Sequence, residues 1–516
     1  MRGSKASCIS MDRLSKKKHS LCSDGFDRCL SKLPDNLLLR ILSLLQMKDR
    51  VRTGCLSTRW KNLWKPISNI DFTQTNMHKT PELIAAIDKT LSYHDVLQVR
   101  EFHVNAESDI CSMNKVGSWI DFVVGHNIEV LYLDLTPHNL EDKYLRLPLI
   151  PARVFDSKSL TRLTLKFCRL KLPPKFCLAS LKTLHFERVA FDNEELASLF
   201  SNCPVLKHLT LKNCNRKTAL KIDAKNSQLE NLDIDEDSGD EADGVPEFEI
   251  FAPNLLTLNF FGKPKRSKYI AMNLKSLVSV NFNFLYPSKF TAFWKTQLII
   301  YGKLLEDFWM FIDDFLHAKV LKLSCWCTMS LSFKEILGIS GSPSVSVTDL
   351  TFETEFWKCN LSGLVYVLRD FSKLEVLTIN VMRNHDNKSG DFYKEEKSGI
   401  NAYWKPDDSS VLGLQQHLKT VKINGFLGSL DTSAEFETTT ESILNARDTE
   451  FVFVKFLLRN LTELETMIIT ITEELDNFPA LKKLDILSQL SSRLLAFSKS
   501  SRKAQILINP DQLTDA

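Results

Sequence analysis

Leu160-Thr161-Arg162-Leu163-Thr164-Leu165, Leu181-Lys182-Thr183-Leu184-His185-Phe186 and Leu206-Lys207-His208-Leu209-Thr210-Leu211 spell one pattern three times. Three more copies follow at Leu229/Leu232/Ile234, Leu255/Leu258/Phe260 and Leu277/Val280/Phe282. The last two apolar residues of each triplet alternate with polar ones, as a half-buried strand requires. Successive triplets lie roughly 21 to 26 residues apart, the spacing of leucine-rich repeats. Fainter copies precede them at Val99/Phe102/Val104 and Ile128/Leu131/Leu133 and follow at Ala318/Leu321/Leu323, Val347/Leu350/Phe352 and Leu374/Leu377/Ile379. One such unit cannot bury both of its faces, so neighbours must stack into a curved solenoid with a parallel sheet on the concave side, the default binding face. The interval Asn193–Phe200, before Asn202-Cys203-Pro204, carries helical signals suited to the convex side.

Upstream, the wording is different. Leu33-Pro34-Asp35-Asn36-Leu37-Leu38-Leu39-Arg40-Ile41-Leu42-Ser43-Leu44-Leu45 predicts a helix with Leu37, Leu38, Ile41, Leu42 and Leu45 on one stripe, Pro34 in its first turn and Asp35 at the positive end of its dipole. Val51 and Leu56 suggest a second short helix. Ser57 is placed to cap a third, which would bury Trp60, Leu63 and Trp64 and end at Pro66. Three helices in about forty residues have too little interior for so many large side chains. Part of this apolar surface should therefore meet another chain or the following domain.

Composition narrows the function. The 516 residues suffice for two or three domains, and 44% hydrophobic with 25% charged residues is ordinary for a folded protein. A net charge of +3 leaves no large footprint for nucleic acid, and no partner of that kind is expected. Neither a signal-peptide run nor an apolar stretch of about 18 residues occurs, so no membrane partner is expected and the expected compartment is cytoplasm or nucleus. The 12 cysteines are scattered, and Cys325 and Cys327 are too close for a zinc knuckle, so they read as buried reduced thiols. No phosphate-cradling glycine loop and no His-Glu-x-x-His is present. Gly338-Ile339-Ser340-Gly341-Ser342 lacks the spacing of a nucleophile elbow. His185 and His208 sit inside triplets as strand-surface residues, and no reactive cysteine pairs with a base. Neither catalytic residues nor a cofactor or metal site is expected.

Two segments interrupt the repeats: the acidic stretch Asp233–Glu249 and the polar stretch 383–410, both expected as exposed loops. Asp233, Asp235 and Asp237 alternate as in a calcium loop, but Ser238 and Gly244 occupy the positions where glycine and bidentate glutamate are needed. From Leu412 the chain changes character. Leu418-Lys419-Thr420-Val421-Lys422-Ile423-Asn424-Gly425-Phe426-Leu427-Gly428 predicts a strand closing on glycines, followed by a polar stretch over 429–449, a helix from Glu450 through Val454, Leu457, Leu458 and Leu461, and a strand at Thr466–Ile469. The polar stretch over 429–449 reads first as an inserted loop, since loop closure costs little with added length, and second as a change of strand pairing near Gly425.

These features carry a resemblance. Leu-Pro-Asp at 33–35, Ile41-Leu42-Ser43-Leu44-Leu45, and Leu56-Ser57-Thr58-Arg59-Trp60-Lys61-Asn62-Leu63-Trp64 resemble the plant F-box, and the last hundred residues, including Leu494–Ile506, are similar to the FBD domain that follows plant F-box and leucine-rich segments. The resemblance implies an α/β chain ordered as a basic tail (1–26), a three-helix F-box (27–72), an irregular leucine-rich-repeat solenoid (73–382), a polar loop (383–410) and an FBD-like domain (411–516). It implies further that Leu33, Pro34, Leu37, Ile41, Leu42, Val51, Leu56, Trp60 and Leu63 form or support the surface that docks a Skp-family adaptor and, through it, a cullin. The chain would then be the non-catalytic target-recognition subunit of a Skp-cullin-F-box ubiquitin ligase, its repeats holding an unidentified target protein. Two alternatives stand beside it: a ligand-assisted receptor of the same complex, which needs inward cations such as Lys166, Lys212 and Arg216, and a protein-interaction scaffold outside any ligase.

Overall fold

A computed structural model describes residues 33–73, 81–94, 98–106, 113–137, 147–214, 219–236, 247–262, 266, 268–285, 308–336, 345–354, 358–382, 417–428 and 438–509. The tail 1–26, the loop 383–410, Arg216 and the glycines near 338–341 lie outside them.

The repeated triplets are strands, and every pair of neighbours runs parallel. With four further strands they build a single fifteen-stranded sheet among the described residues. Its register is set by the leucine ladder: Leu163 is level with Leu184, then Leu209, Leu232, Leu258, Val280, Leu321, Leu350 and Leu377. A one-residue slip would turn every one of these side chains from the core to solvent, so the alternation fixes the pairing. The sheet begins with Asn69–Asp71, inside the stretch that reads as F-box, where Ile70 pairs with Phe102. It ends beyond Leu377 with Thr420–Phe426, Thr466–Ile471 and Gln505–Asn509, whose Val421, Met467 and Ile506 extend the same ladder. The segment that resembles FBD thus shares the sheet of the repeats.

The convex side is mixed. Helices Pro81–Tyr93, Met113–Gly125 and Asn193–Asn202 cover the early strands, and the last of these opens on a capping box between Asp192 and Glu195. In the middle, three short strands, Leu220–Asp223, Phe248–Phe251 and Tyr269–Met272, replace helices with a second parallel sheet that the triplet pattern does not announce. Large rings fill the space there: Phe248 meets Phe260 at 5.1 Å, Phe284 meets Phe308 at 5.1 Å, and Phe308 meets Trp326 at 4.8 Å. Helices return at Cys325–Ile336, Lys358–Asp370, Thr440–Ala446, Asp448–Asn460 and Ala480–Leu495. The acidic residues Asp233 and Asp235 belong to a strand, Asn231–Glu236, and not to a loop; Leu232 before them and Ile234 between them are core residues, which outweighs the local charge, and 237–246 lie outside the described residues.

The pairing of Thr420–Phe426 with Thr466–Ile471 shifts register between Asn424 and Phe426, and the stretch 429–449 is not a loop throughout, since Thr440–Ala446 is a helix. Gly425 has φ +74°, and a Cβ there would stand 3.0 Å from the Val381 carbonyl oxygen, so no other residue fits without strain.

Candidate functional sites

Two surfaces stand out: an apolar face on the N-terminal helices and the concave floor of the sheet. Helix α1 spans Asp35–Ser43 and α2 spans Met47–Arg52, followed by single 3-10 turns at Thr53–Cys55 and Trp60–Asn62. The third helix expected after Ser57 is only that last turn. Ser57 contributes its carbonyl, which accepts from the Trp60 and Lys61 amides, and its side chain does not cap.

The apolar residues of α1 divide into two stripes instead of one. Leu38 and Leu42, with Leu45 partly buried, face inward at steps of four and three, together with Met47, Trp60 and Trp64. Leu37, Ile41 and Leu44 follow the same steps one position earlier and face outward, and Leu44 is 83% exposed. Val51 and Leu56 are exposed as well, and Pro34 lies in the open beside them. Of the nine residues assigned to this surface, Leu42 and Trp60 are buried, Leu33 and Leu63 are half-buried, and Pro34, Leu37, Ile41, Val51 and Leu56 are exposed. Leu44 was missed because it follows the last helical residue, although its spacing from Leu37 and Ile41 marks it.

Two arginines also escaped sequence reasoning. Arg50 is buried and donates to the carbonyls of Leu45 (2.6 Å), Ser43 (2.9 Å) and Asn69 (2.6 Å). It occupies the carbonyl end of α1 and ties it to the first strand of the sheet. Burial holds its pKa below the usual arginine value, with Asp71 acting in the opposite sense. Arg59 holds the other end, donating to the Leu33 carbonyl at 2.6 Å and to Asp35 at 3.0 Å. The exposed stripe is therefore carried on a helix fixed at both ends.

On the concave floor, Asp134, Lys166, Glu187, Lys212 and Asp235 occupy equivalent positions on five neighbouring strands. Their charges alternate. Lys166 lies 2.8 Å from Glu187 and 4.0 Å from Asp134, with its ammonium 5.6 Å from the centre of the Tyr132 ring, and Lys212 lies 3.7 Å from Asp235. Burial opposes the charge on Lys166, but Glu187 outweighs it and raises the lysine pKa; burial likewise opposes the Glu187 charge and Lys166 outweighs it downward. His185, beside this pair, is held below its ordinary pKa by burial. One position inward, Asp233 accepts from Asn259 at 2.6 Å and from Thr210 at 3.3 Å. Further along, amides replace charges, with Asn424 donating to Asn380 at 2.9 Å. Among the described residues, no group of His, Cys, Asp or Glu side chains could hold a metal ion. Of the described cysteines, Cys168, Cys203, Cys214, Cys325 and Cys327 are buried, whereas Cys55 and Cys177 are exposed.

Residues 90–431 match the family described as At1g61320/AtMIF1, LRR domain, and residues 30–69 match the F-box domain. The chain belongs to the plant F-box/leucine-rich-repeat family. It is 24% identical over 461 residues to F-box/LRR-repeat protein At5g02910 of Arabidopsis thaliana, covering 88% of this chain and 90% of that relative. F-box/FBD/LRR-repeat protein At2g04230 of the same plant is 26% identical over 430 residues, 81% of this chain and 86% of the relative. Putative F-box/FBD/LRR-repeat protein At1g66300 is 30% identical over 275 residues, about half of either chain. As an F-box/leucine-rich-repeat protein, the chain has a protein-interaction role. No helix among the described residues is long and apolar enough to cross a membrane.

Proposed function

We propose that this F-box/leucine-rich-repeat protein is the target-binding subunit of a Skp-cullin-F-box ubiquitin ligase. The observation that carries the proposal is the outward stripe Leu37, Ile41 and Leu44, continued by Val51 and Leu56, on a module whose own core is already filled by Leu38, Leu42, Trp60 and Trp64. Large apolar side chains clustered in the open on a rigid module mark a protein interface. In this reading they contact a Skp-family adaptor, while Leu42 and Trp60 support the face from beneath. The concave sheet holds the target, and residues 411–516 act as an FBD-like module completing the same sheet. Catalysis comes from proximity: the assembly raises the effective concentration of a ubiquitin-charged conjugating enzyme at a target lysine, with no acid, base or nucleophile from this chain.

Of the alternatives, the receptor for an anionic ligand draws no support from Lys166 and Lys212, which are already faced by carboxylates, and its third cation, Arg216, lies outside the described residues. Co-purification tests the proposal. The Leu37→Asp/Leu44→Asp variant should lose adaptor and cullin at least tenfold while keeping the wild-type unfolding midpoint; undiminished capture would reject the docking face. Ubiquitin transfer to a bound target separates the ligase from a scaffold that merely holds the adaptor.

A further inference from the structure

Among the described residues, the C-terminal end of the solenoid is uncovered in both of its layers. In the sheet layer, Gln505–Asn509 is the last strand. The Gln505 amide donates to the Glu465 carbonyl at 2.9 Å, so the main-chain groups of Gln505, Leu507 and Asn509 face the preceding strand. By alternation, those of Ile506 and Ile508 face outward, two donors and two acceptors on the open edge. In the helix layer, Ala480–Leu495 buries Ile486, Leu490 and Leu494. One of its flanks is occupied: Asp485 accepts from Thr440, and Arg493 pairs with Asp448 at 2.6 Å, both partners lying on the preceding helices. The opposite flank, where a following repeat would stack, carries Leu484, Leu487, Ser488, Ser491 and Leu495, with Leu484 63% and Leu495 56% exposed. No described residue covers this flank or the strand edge.

We propose that this end face pairs with the same face of a second copy of the chain, giving a two-fold symmetric dimer. Both layers are self-complementary about one axis normal to the sheet. Antiparallel strands centred on Leu507 bring Ile506 opposite Ile508 of the second copy, so that the outward main-chain groups satisfy one another, and Gln505 opposite Asn509. Antiparallel helices bring Leu484 against Leu495 of the second copy and Ser488 against Ser491, small residues that permit close approach. Charge agrees in balance: Glu473, Glu474 and Asp476 before the helix outnumber Lys482 and Lys483 in its first turn, where Lys483 pairs with Asp476, and the exposed Arg502 and Lys503 follow the helix, so an acidic end meets a basic one at each end of an antiparallel pair. A helix of 16 residues is about 24 Å long, and two layers about 10 Å apart give a face burying on the order of 1,000 Å² in total, the lower bound for a specific interface. Dissociation on dilution is expected. A repeat or partner protein of other chemistry on this face is the competing occupant.

Sedimentation of the full chain from about 1 to 100 μM should show twice the monomer mass at the upper end, and Leu484→Glu/Leu495→Glu should remain monomeric with an unchanged unfolding midpoint. Leu507 faces its own symmetry mate, so Leu507→Cys should form a disulfide-linked dimer under mild oxidation that wild type, with its exposed Cys55 and Cys177, does not form. A wild-type chain monomeric throughout, a glutamate variant that still dimerises, or no Leu507→Cys cross-link would each overturn the proposal.

Discussion

The carboxylate of Glu450 accepts the Leu427 amide at 2.8 Å from within the core of the last repeats. Leu427 has φ +77° and follows the bulged turn at Gly425, and its carbonyl accepts from Arg447 Nε at 2.9 Å. The helix Asp448–Asn460 and the strand Thr420–Phe426 are thus joined through one carboxylate and one guanidinium.

Burial pushes the Glu450 pKa up to about 7, although the Leu427 amide and Arg447 pull the other way. An unfolded glutamate titrates at about 4.3. Between these values the folded state holds more protons than the unfolded one, so the contribution is fully present below the unfolded pKa and is lost as pH rises through the folded pKa. The loss amounts to roughly 3 to 4 kcal/mol by pH 8. Glu450→Gln keeps an acceptor for Leu427 without the charge. Denaturant midpoints should fall between pH 5 and pH 8 in wild type and fall by less in Glu450→Gln; identical slopes would show that the carboxyl is not the titrating group.

Arg50 serves three carbonyls, and a lysine cannot reproduce that fork. Arg50→Ala should cost about 2 to 4 kcal/mol at the junction of helices and sheet, since each carbonyl loses a charge-assisted bond but partly regains water. Arg50→Lys should recover less than half. Hydrogen exchange should quicken at α1 and at Asn69–Asp71 while the strands from Arg162 onward keep their protection; uniform loss of protection along the sheet would contradict the local role.

The alternating ladder from Asp134 to Asp235 bears on ligand chemistry. An inositol polyphosphate or similar polyanion entering the concave floor would have to displace Glu187 from Lys166 and Asp235 from Lys212, each close enough to cancel most of the lysine field. No thermal shift is expected with millimolar inositol hexakisphosphate at physiological salt. A shift abolished by Lys166→Ala would reinstate the anion-receptor reading.

The strands were legible because a two-residue alternation with a leucine on each inward step has few other uses. The last three strands carry the resemblance to FBD, and with a spacing of roughly 40 residues they fall outside the usual repeat length, yet Val421, Met467 and Ile506 join the same ladder. The convex strands around Phe248 and Tyr269 were illegible for the opposite reason: each is four residues long, and an alternation that short occurs throughout any chain. On the N-terminal module, the pattern identified which side chains are apolar but not which stripe is turned outward. That depends on where Arg50 and Arg59 anchor α1, a tertiary fact that helical periodicity does not contain.

The split of the two stripes yields a contrast that composition alone would not suggest. Leu44 and Trp60 lie in the same module, but Leu44 is exposed whereas Trp60 is packed into the core. Trp60→Ala should therefore destabilise the chain by about 3 to 5 kcal/mol, and any loss of adaptor binding should follow from unfolding of the module. Leu44→Ala removes a side chain that becomes buried only on docking, so stability should stay within about 0.5 kcal/mol of wild type while adaptor affinity falls by about 1.5 to 3 kcal/mol, roughly 10- to 100-fold. Calorimetric titration with the adaptor, run beside chemical denaturation of each variant, separates the two. If Leu44→Ala binds as tightly as wild type, the outward stripe is not the docking surface; if Trp60→Ala keeps its stability and loses binding, Trp60 is a contact and not a support.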